Sequence, residues 1–288
     1  MLARLSIFLT VLLAHLPLGM LRWFGALWGY VLYAVVSGRR RIVMTNLGLC
    51  LPELTLSERQ ALARRVFVRF AQAWFDRGWL WTGSESLVRS RLKLTGHWAL
   101  LQDKTPTVLF APHFVGLDAG WTALAQQLDG PFTTIYTHQA NAVFDAWILQ
   151  GRRRFGSVQL FGRRTGMKTI VSALKQGESL YLLPDMDFGR KDSVFVPFFG
   201  VQAATVTSLS RFARTASARV VPVVCRMSEE GYEVDVLAPW SDFPTGDAQA
   251  DTARMNEHLA NYILTMPDQY YWVHKRFKTR PSGEAPVY

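Results

Sequence analysis

The chain has 288 residues, 49% of them hydrophobic and 19% charged, with 32 Lys and Arg against 22 Asp and Glu. That composition excludes a disordered or low-complexity chain, and no glycine period suggests collagen. The length suits one large domain or two small ones. Cys50 and Cys225 lack the spacing of a zinc site or a disulfide framework and read as reduced thiols facing the cytosol. The formal charge of +10 calls for an anionic partner: nucleic acid, a membrane surface, a phosphorylated substrate or an acidic carrier protein.

The N-terminus favours the membrane. From Leu5 to Val36 the one charged residue is Arg22, and Pro17, Gly19 and Arg22 interrupt an otherwise apolar run. A span needs roughly 20 apolar residues, so either one kinked, tilted span or a helical hairpin in the interface fits. Trp23, Trp28, Tyr30 and Tyr33 suit a headgroup belt, and Arg39, Arg40 and Arg41 place the following chain in the cytoplasm. A signal peptide would need a small-residue cleavage site and a polar mature start, and neither is present. A buried hairpin in a soluble core is the remaining alternative.

Further along, the apolar spacing after Ser57 predicts a helix with an Arg-rich face over 57–77. Strands are expected at Leu92–Trp98, Thr107–Ala111, Phe132–Tyr136, Ser179–Leu183, Val220–Arg226 and Tyr232–Leu237. Helices are expected after Phe114 and at Asn141–Phe155, Lys168–Gln176, Thr205–Ala216 and Asp251–Met266. Strands alternating with helices predict an α/β fold, with a mixed sheet flanked by helices, behind an N-terminal hydrophobic helical membrane anchor. The simplest division is an anchor at 1–41 and a single catalytic-size domain at 42–288.

Several clusters can carry chemistry. His113 and Asp118 are five positions apart, about 140° around a regular helix, so they meet only if His113 sits at or before the first turn. Pro112 makes that boundary plausible. A carboxylate on one imidazole nitrogen would then fix the tautomer and leave the other nitrogen to take a proton from a hydroxyl. A core histidine beside a capping aspartate is the alternative. Between Ala146 and Lys168 lie Arg152, Arg153, Arg154, Arg163, Arg164 and Lys168 with no acidic residue, a single-sign cluster that suits phosphate or carrier binding. The segment around Gly162 lacks the Gly-Lys pair of a phosphate loop, which removes nucleotide hydrolysis. Asp185 and Asp187 follow a strand and could hold a metal or pair with those arginines. The apolar run from Phe195 to Thr207 suits either an acyl groove or the core. Near the C-terminus, aromatics alternate with cations including Lys275 and Arg276, which fits a headgroup or phosphate rim, or single-stranded nucleic acid. No serine-elbow, zinc-protease or Cys-x-x-Cys motif appears.

Several of these segments, in order, resemble the bacterial lipid A late acyltransferases, the lauroyl and myristoyl acyltransferase family within the lysophospholipid acyltransferase superfamily. The matching segments are NLGLCLPE from Asn46 with Ser57-Glu58-Arg59, the His113-x4-Asp118 box, Gly151-Arg152-Arg153-Arg154, Pro184-Asp185 with Asp187 and Gly189, and HKRFKTRP from His274. The resemblance implies a glycerolipid acyltransferase-like fold. It also implies transfer of an acyl chain from acyl carrier protein to a hydroxyl of a lipid A precursor, with no cofactor, metal or nucleic acid. His113 would be the general base and Asp118 its orienting partner. Arg154, with Arg152 beside it, would contact the phosphorylated substrate, and Asp185 and Asp187 would shape the site. Arg164, Lys275 and Arg276 are further candidates for substrate contact. The setting would be the bacterial inner membrane and its lipids, with the catalytic domain on the cytoplasmic side.

Three departures from the family pattern stand out: Asp118 where Glu is frequent, Met186 where Gln is common, and Thr137-His138 in place of Arg-Pro. They leave open a different acceptor such as a lysophospholipid or an ornithine lipid. A non-catalytic basic membrane-binding protein is the alternative from another class.

Overall fold

The computed structural model describes residues 2–288. Helices come first: α1 (Leu2–Leu13), α2 (Leu18–Val35), α3 (Ser37–Cys50), α4 (Leu56–Thr82) and the short α5 (Glu85–Ser90). The α/β part follows as β1 (Leu92–Gly96), β2 (Thr107–Phe110), α6 (Leu117–Gln127), β3 (Phe132–Tyr136), α7 (Ala142–Arg152), β4 (Val158–Gly162), α8 (Met167–Lys175) and β5 (Ser179–Leu182). It closes with β6 (Ser193–Phe198), β7 (Val201–Val206), α9 (Ser208–Ala216), β8 (Arg219–Met227), β9 (Tyr232–Val236) and α10 (Ala248–Thr265).

Seven strands form one sheet in the order β1-β9-β8-β2-β5-β3-β4, parallel throughout except where β9 runs antiparallel to β8. The expected α/β fold with a mixed sheet is what the chain adopts. β2 lies at its centre, parallel to β5 on one side and β8 on the other, and all four of its residues are buried. Such a strand needs apolar residues facing both ways, which Thr-Val-Leu-Phe supplies. Val108 and Phe110 enter one core with Leu180, Leu182 and Phe198. Leu109 enters the other with Tyr181, Val221 and Trp121.

Local signals explain the helix boundaries. Thr55 and Glu58 form a reciprocal capping box at the start of α4. The helix runs past the expected end at Arg77 because Gly78 to Trp81 are packed in the interior, so burial rather than propensity sets its length. Several elements go beyond the sequence reading: α3, α5, β4, a 3-10 turn at Trp98–Gln102 and the β6–β7 hairpin. The hairpin takes up the run read as groove or core. Val196, Phe198, Ala203 and Ala204 are buried, so core packing explains them, and α9 starts after Thr207 rather than at Thr205.

Candidate active site

The site lies beyond the carboxyl ends of β2 and β5, the position where open α/β sheets place ligands. Strand register builds it. Phe110 is paired with Leu182, and the Ala111 amide donates to the Leu182 carbonyl at 2.9 Å. Counting three residues onward from the paired positions on both strands reaches His113 and Asp185. The His113 ring Nδ1 lies 2.7 Å from Asp185 Oδ1, and the His113 amide donates to Asp185 Oδ2 at 3.1 Å. Asp185 is fully buried, whereas 21% of the His113 side chain is exposed. A neutral ring donating from Nδ1 leaves Nε2 with a lone pair, and Nε2 bonds to no other described residue.

The C-terminal segment closes over this pair. The Tyr270 hydroxyl donates to Asp185 Oδ2 at 3.1 Å. Tyr271 donates its amide to the His113 carbonyl at 3.0 Å and stacks its ring on the imidazole at 6.1 Å. Asn46, from the NLGLCLPE segment, holds that segment by donating to the carbonyls of Trp272 and His274 at 2.7 and 2.8 Å.

Asp118 makes no hydrogen bond to His113, where the sequence reading expected an orienting contact; the carboxylate on that ring is Asp185. Asp118 sits in the first turn of α6 and takes a two-pronged contact from each of two arginines. Arg77 Nε and Nη2 each lie 2.9 Å from Oδ2, while Arg152 Nε and Nη2 lie 2.8 and 2.7 Å from Oδ1. Both carboxylate oxygens are thereby occupied, so the local five-residue spacing joins α6 to α4 and α7 instead of building the His dyad. Burial by itself would raise the carboxyl of Asp118, but Arg152 and Arg77 override it and hold it below the usual carboxylate range. Burial acts likewise on Asp185, and the adjoining His113 charge and hydrogen bonds lower it.

The other sequence candidates scatter. Arg152 holds Asp118 and bonds to neither His113 nor Asp185. Arg154, expected to reach a phosphate, instead donates to the carbonyls of Leu80 and Gly83 and caps the end of α4. Asp187 accepts from the Thr279 amide at 2.8 Å and its hydroxyl at 2.9 Å, and its own amide donates to His274 Nε2 at 3.1 Å. Neither Asp185 nor Asp187 pairs with the arginine cluster. Burial, then the charges of His113 and Arg276, lower His274 to about 4 and keep it neutral. Arg276 is not a rim cation either. It is 2% exposed, donating to Ala204 O at 2.8 Å and Thr205 Oγ1 at 2.6 Å, so it braces the hairpin. Lys275 is exposed beside the Tyr288 ring, and Arg164 is exposed in the turn after β4. His138, at the departure from the family's Arg-Pro, pairs with Asp145 at 2.8 Å.

Sequence reasoning missed Arg77 and Tyr270. Arg77 was visible only as one of many arginines on a helical face, and Tyr270 stands in an aromatic run with no spacing signal. It also missed a cavity of about 440 Å³ beside Pro184, floored by residues such as Ile135, Ile170, Leu182 and Phe212 and rimmed by Arg163, Lys191 and Arg211.

The family model for bacterial lipid A biosynthesis acyltransferases matches residues 1–279. The lipid A biosynthesis palmitoleoyltransferase of Escherichia coli K12 is 32% identical over 282 residues, spanning 95% of this chain and 90% of that protein. The lauroyltransferase of the same organism is 32% identical over 283 residues, spanning 96% and 91%. The corresponding myristoyltransferase is 30% identical over 257 residues, spanning 88% and 79%. A match across nearly the whole chain, with His113 and Asp185 in contact beyond the sheet, has one reading: the chain belongs to the bacterial lipid A biosynthesis acyltransferase family.

Proposed function

We propose that the protein transfers a fatty acyl chain from acyl carrier protein to a hydroxyl of a lipid A precursor, forming an acyloxyacyl ester. The observation that carries this reading is the His113–Asp185 contact at 2.7 Å, which leaves Nε2 free at a half-open site in a chain of this family. Asp185 fixes the tautomer and stabilises the imidazolium. Nε2 takes the proton of the acceptor hydroxyl as its oxygen attacks the thioester carbonyl. The tetrahedral adduct collapses, the C–S bond breaks, and the Nε2 proton passes to the departing carrier thiolate. Asp118 has a positioning role. With Arg77 and Arg152 it makes a cluster of net charge +1 that anchors α6 and favours a phosphorylated acceptor.

The cavity beside Pro184 suits the donor. Its apolar floor fits an acyl chain, and Arg163, Lys191 and Arg211 at its rim fit the phosphate of the prosthetic arm and an acidic carrier. The exposed Arg164 and Lys275 add to the positive field around the site. In this reading the fold is of the glycerolipid acyltransferase kind, and residues 1–41 attach the 42–288 domain to the cytoplasmic side of the inner membrane.

Product mass tests the proposal. Purified protein is mixed with acyl carrier proteins of several chain lengths and a Kdo-bearing tetra-acylated lipid A precursor, with His113→Ala alongside. A gain of one acyl chain by wild type alone is expected. No gain with any donor removes this donor–acceptor pair and sends the search to other lysolipids; a gain with His113→Ala removes the base.

A further inference from the structure

Among the described residues, α2 is the one helix long and apolar enough to cross a bilayer by length and composition. Its packing points to a different seating. Arg22 on its inner face pairs with Asp76 of α4 at 3.1 Å and donates to the carbonyls of Ser228 and Gly231 in the β8–β9 turn. Asp76 is fully committed, accepting also from Trp79 Nε1 at 2.9 Å and the Tyr232 hydroxyl at 2.8 Å. Further along, a Cβ added at Gly25 would stand 2.9 Å from Gln72 Cα, and one at Gly29 would stand 2.5 Å from Val68 Cα. Two glycines one turn apart thus let the helices touch backbone to backbone midway along α2.

α4 cannot follow α2 into hydrocarbon. It carries Arg64, Arg65, Arg69 and Arg77, and Leu62, Val66 and Trp79 on it belong to the cores of the α/β domain. Taking α2 across a core about 30 Å thick would either strip it from α4, leaving Asp76 buried without its cation, or draw those arginines into lipid.

The outward face tells where the helix pair belongs. Met20, Trp23, Leu27 and Trp28 are each at least half exposed, at the spacing of a single helical stripe. On α1, Leu5, Phe8 and Leu12 are exposed in the same way. Arg39, Arg41 and Arg64 are exposed around the C-terminal end of α2. We infer that α1 and α2 form a plate lying along the surface of an anionic bilayer, with its apolar stripes among the acyl chains and its arginines at the headgroups, and that α2 does not cross. This inference rests on the membrane attachment proposed above and requires nothing of the reaction.

The test uses the full chain bound from outside to vesicles of phosphatidylcholine with one quarter phosphatidylglycerol. Cysteines introduced one at a time as His15→Cys in the α1–α2 turn and Ser37→Cys after α2 are treated with a membrane-impermeant maleimide; the native Cys50 and Cys225 are buried, and wild type labelled in parallel gives their background. Both introduced cysteines are expected to react fully before the vesicles are opened. Reaction of His15→Cys only after permeabilisation overturns the plate in favour of a span. A second measurement is partitioning of the Trp23→Glu/Leu27→Glu variant, with its melting checked in detergent. Vesicle binding is expected to fall at least tenfold at unchanged melting temperature, and unchanged binding overturns the plate. Absence of wild-type binding to these vesicles defeats membrane attachment itself, whereas a far-side His15 defeats only the seating.

Discussion

His113 and Asp185 stand 72 positions apart, and that is the offset between β2 and β5 in the sheet, where Thr107 pairs with Ser179 and Phe110 with Leu182. The dyad is therefore an extension of strand register beyond the last paired residues. Asp185→Asn keeps the shape but no longer stabilises an imidazolium. Its turnover is expected to fall roughly 10²- to 10⁴-fold with little change in acceptor KM. Steady-state kinetics across pH checks this, and near-normal turnover would remove Asp185 as the orienting group.

Asp118 is expected to behave differently. Asp118→Ala strands Arg77 and Arg152, both about four-fifths buried, and is expected to cost roughly 2–4 kcal/mol. Both guanidinium groups keep some water, which holds the loss below that of a fully buried pair. Chemical denaturation of Asp118→Ala, Arg77→Ala and the double variant measures the coupling, and additive losses would show that the pair acts independently.

Arg276 and Lys275 are neighbours with opposite expectations. Arg276→Ala removes charged hydrogen bonds to Ala204 and Thr205 and leaves a void, for an expected loss of about 2–4 kcal/mol. Lys275→Ala, at an exposed position, is expected to leave the melting temperature within about 1 °C and to raise the KM for a phosphorylated acceptor. Thermal melts and kinetics on the two variants separate bracing from substrate attraction.

His274 gives the fold a dependence on acidity. Its pKa is about 4 in the folded chain against an ordinary 6.5. As pH falls below 6.5 the unfolded chain takes up a proton that the folded chain refuses until about pH 4. The stabilisation is thus complete above pH 6.5 and is lost as pH falls to about 4. Its size is about 2–3 kcal/mol, less than the full shift because the ring keeps some contact with water. Denaturation of wild type and His274→Gln from pH 7.5 to 4 checks this: the gap between the two curves should narrow on acidification.

The sequence made the fold class legible because the central strands are short, continuously apolar and punctuated by helices with clear periodicity. His113 was legible as a loop residue behind Pro112. Its partner was not, because Asp118 is near in sequence while Asp185 is brought close only by the pairing of β2 with β5, which no local spacing encodes. The β6–β7 hairpin was hidden because the run from Phe195 to Thr207 is largely apolar without strand-like alternation and read as acyl groove or core. Arg276 was misplaced because its neighbours Lys275 and Lys278 are exposed, and a side chain's burial depends on elements far away in sequence. Arg154 looked like a phosphate ligand for the same reason; the carbonyls it caps lie at the end of α4, more than 70 residues earlier.

Asp76 and Arg77 are consecutive residues of α4, yet the first grips Arg22 and the second grips Asp118. Their side chains leave the helix about 100° apart with a rise of about 1.5 Å between them. Neither joint can be adjusted without the other: sliding α4 by one turn, about 5.4 Å, would break both. These joints tie α2, through α4, to α6 and so to the His113 loop. Under the seating and function proposed above, the height of His113 over the bilayer is fixed, and an acceptor lipid whose hydroxyl rides higher or lower must itself tilt or rise to reach the ring.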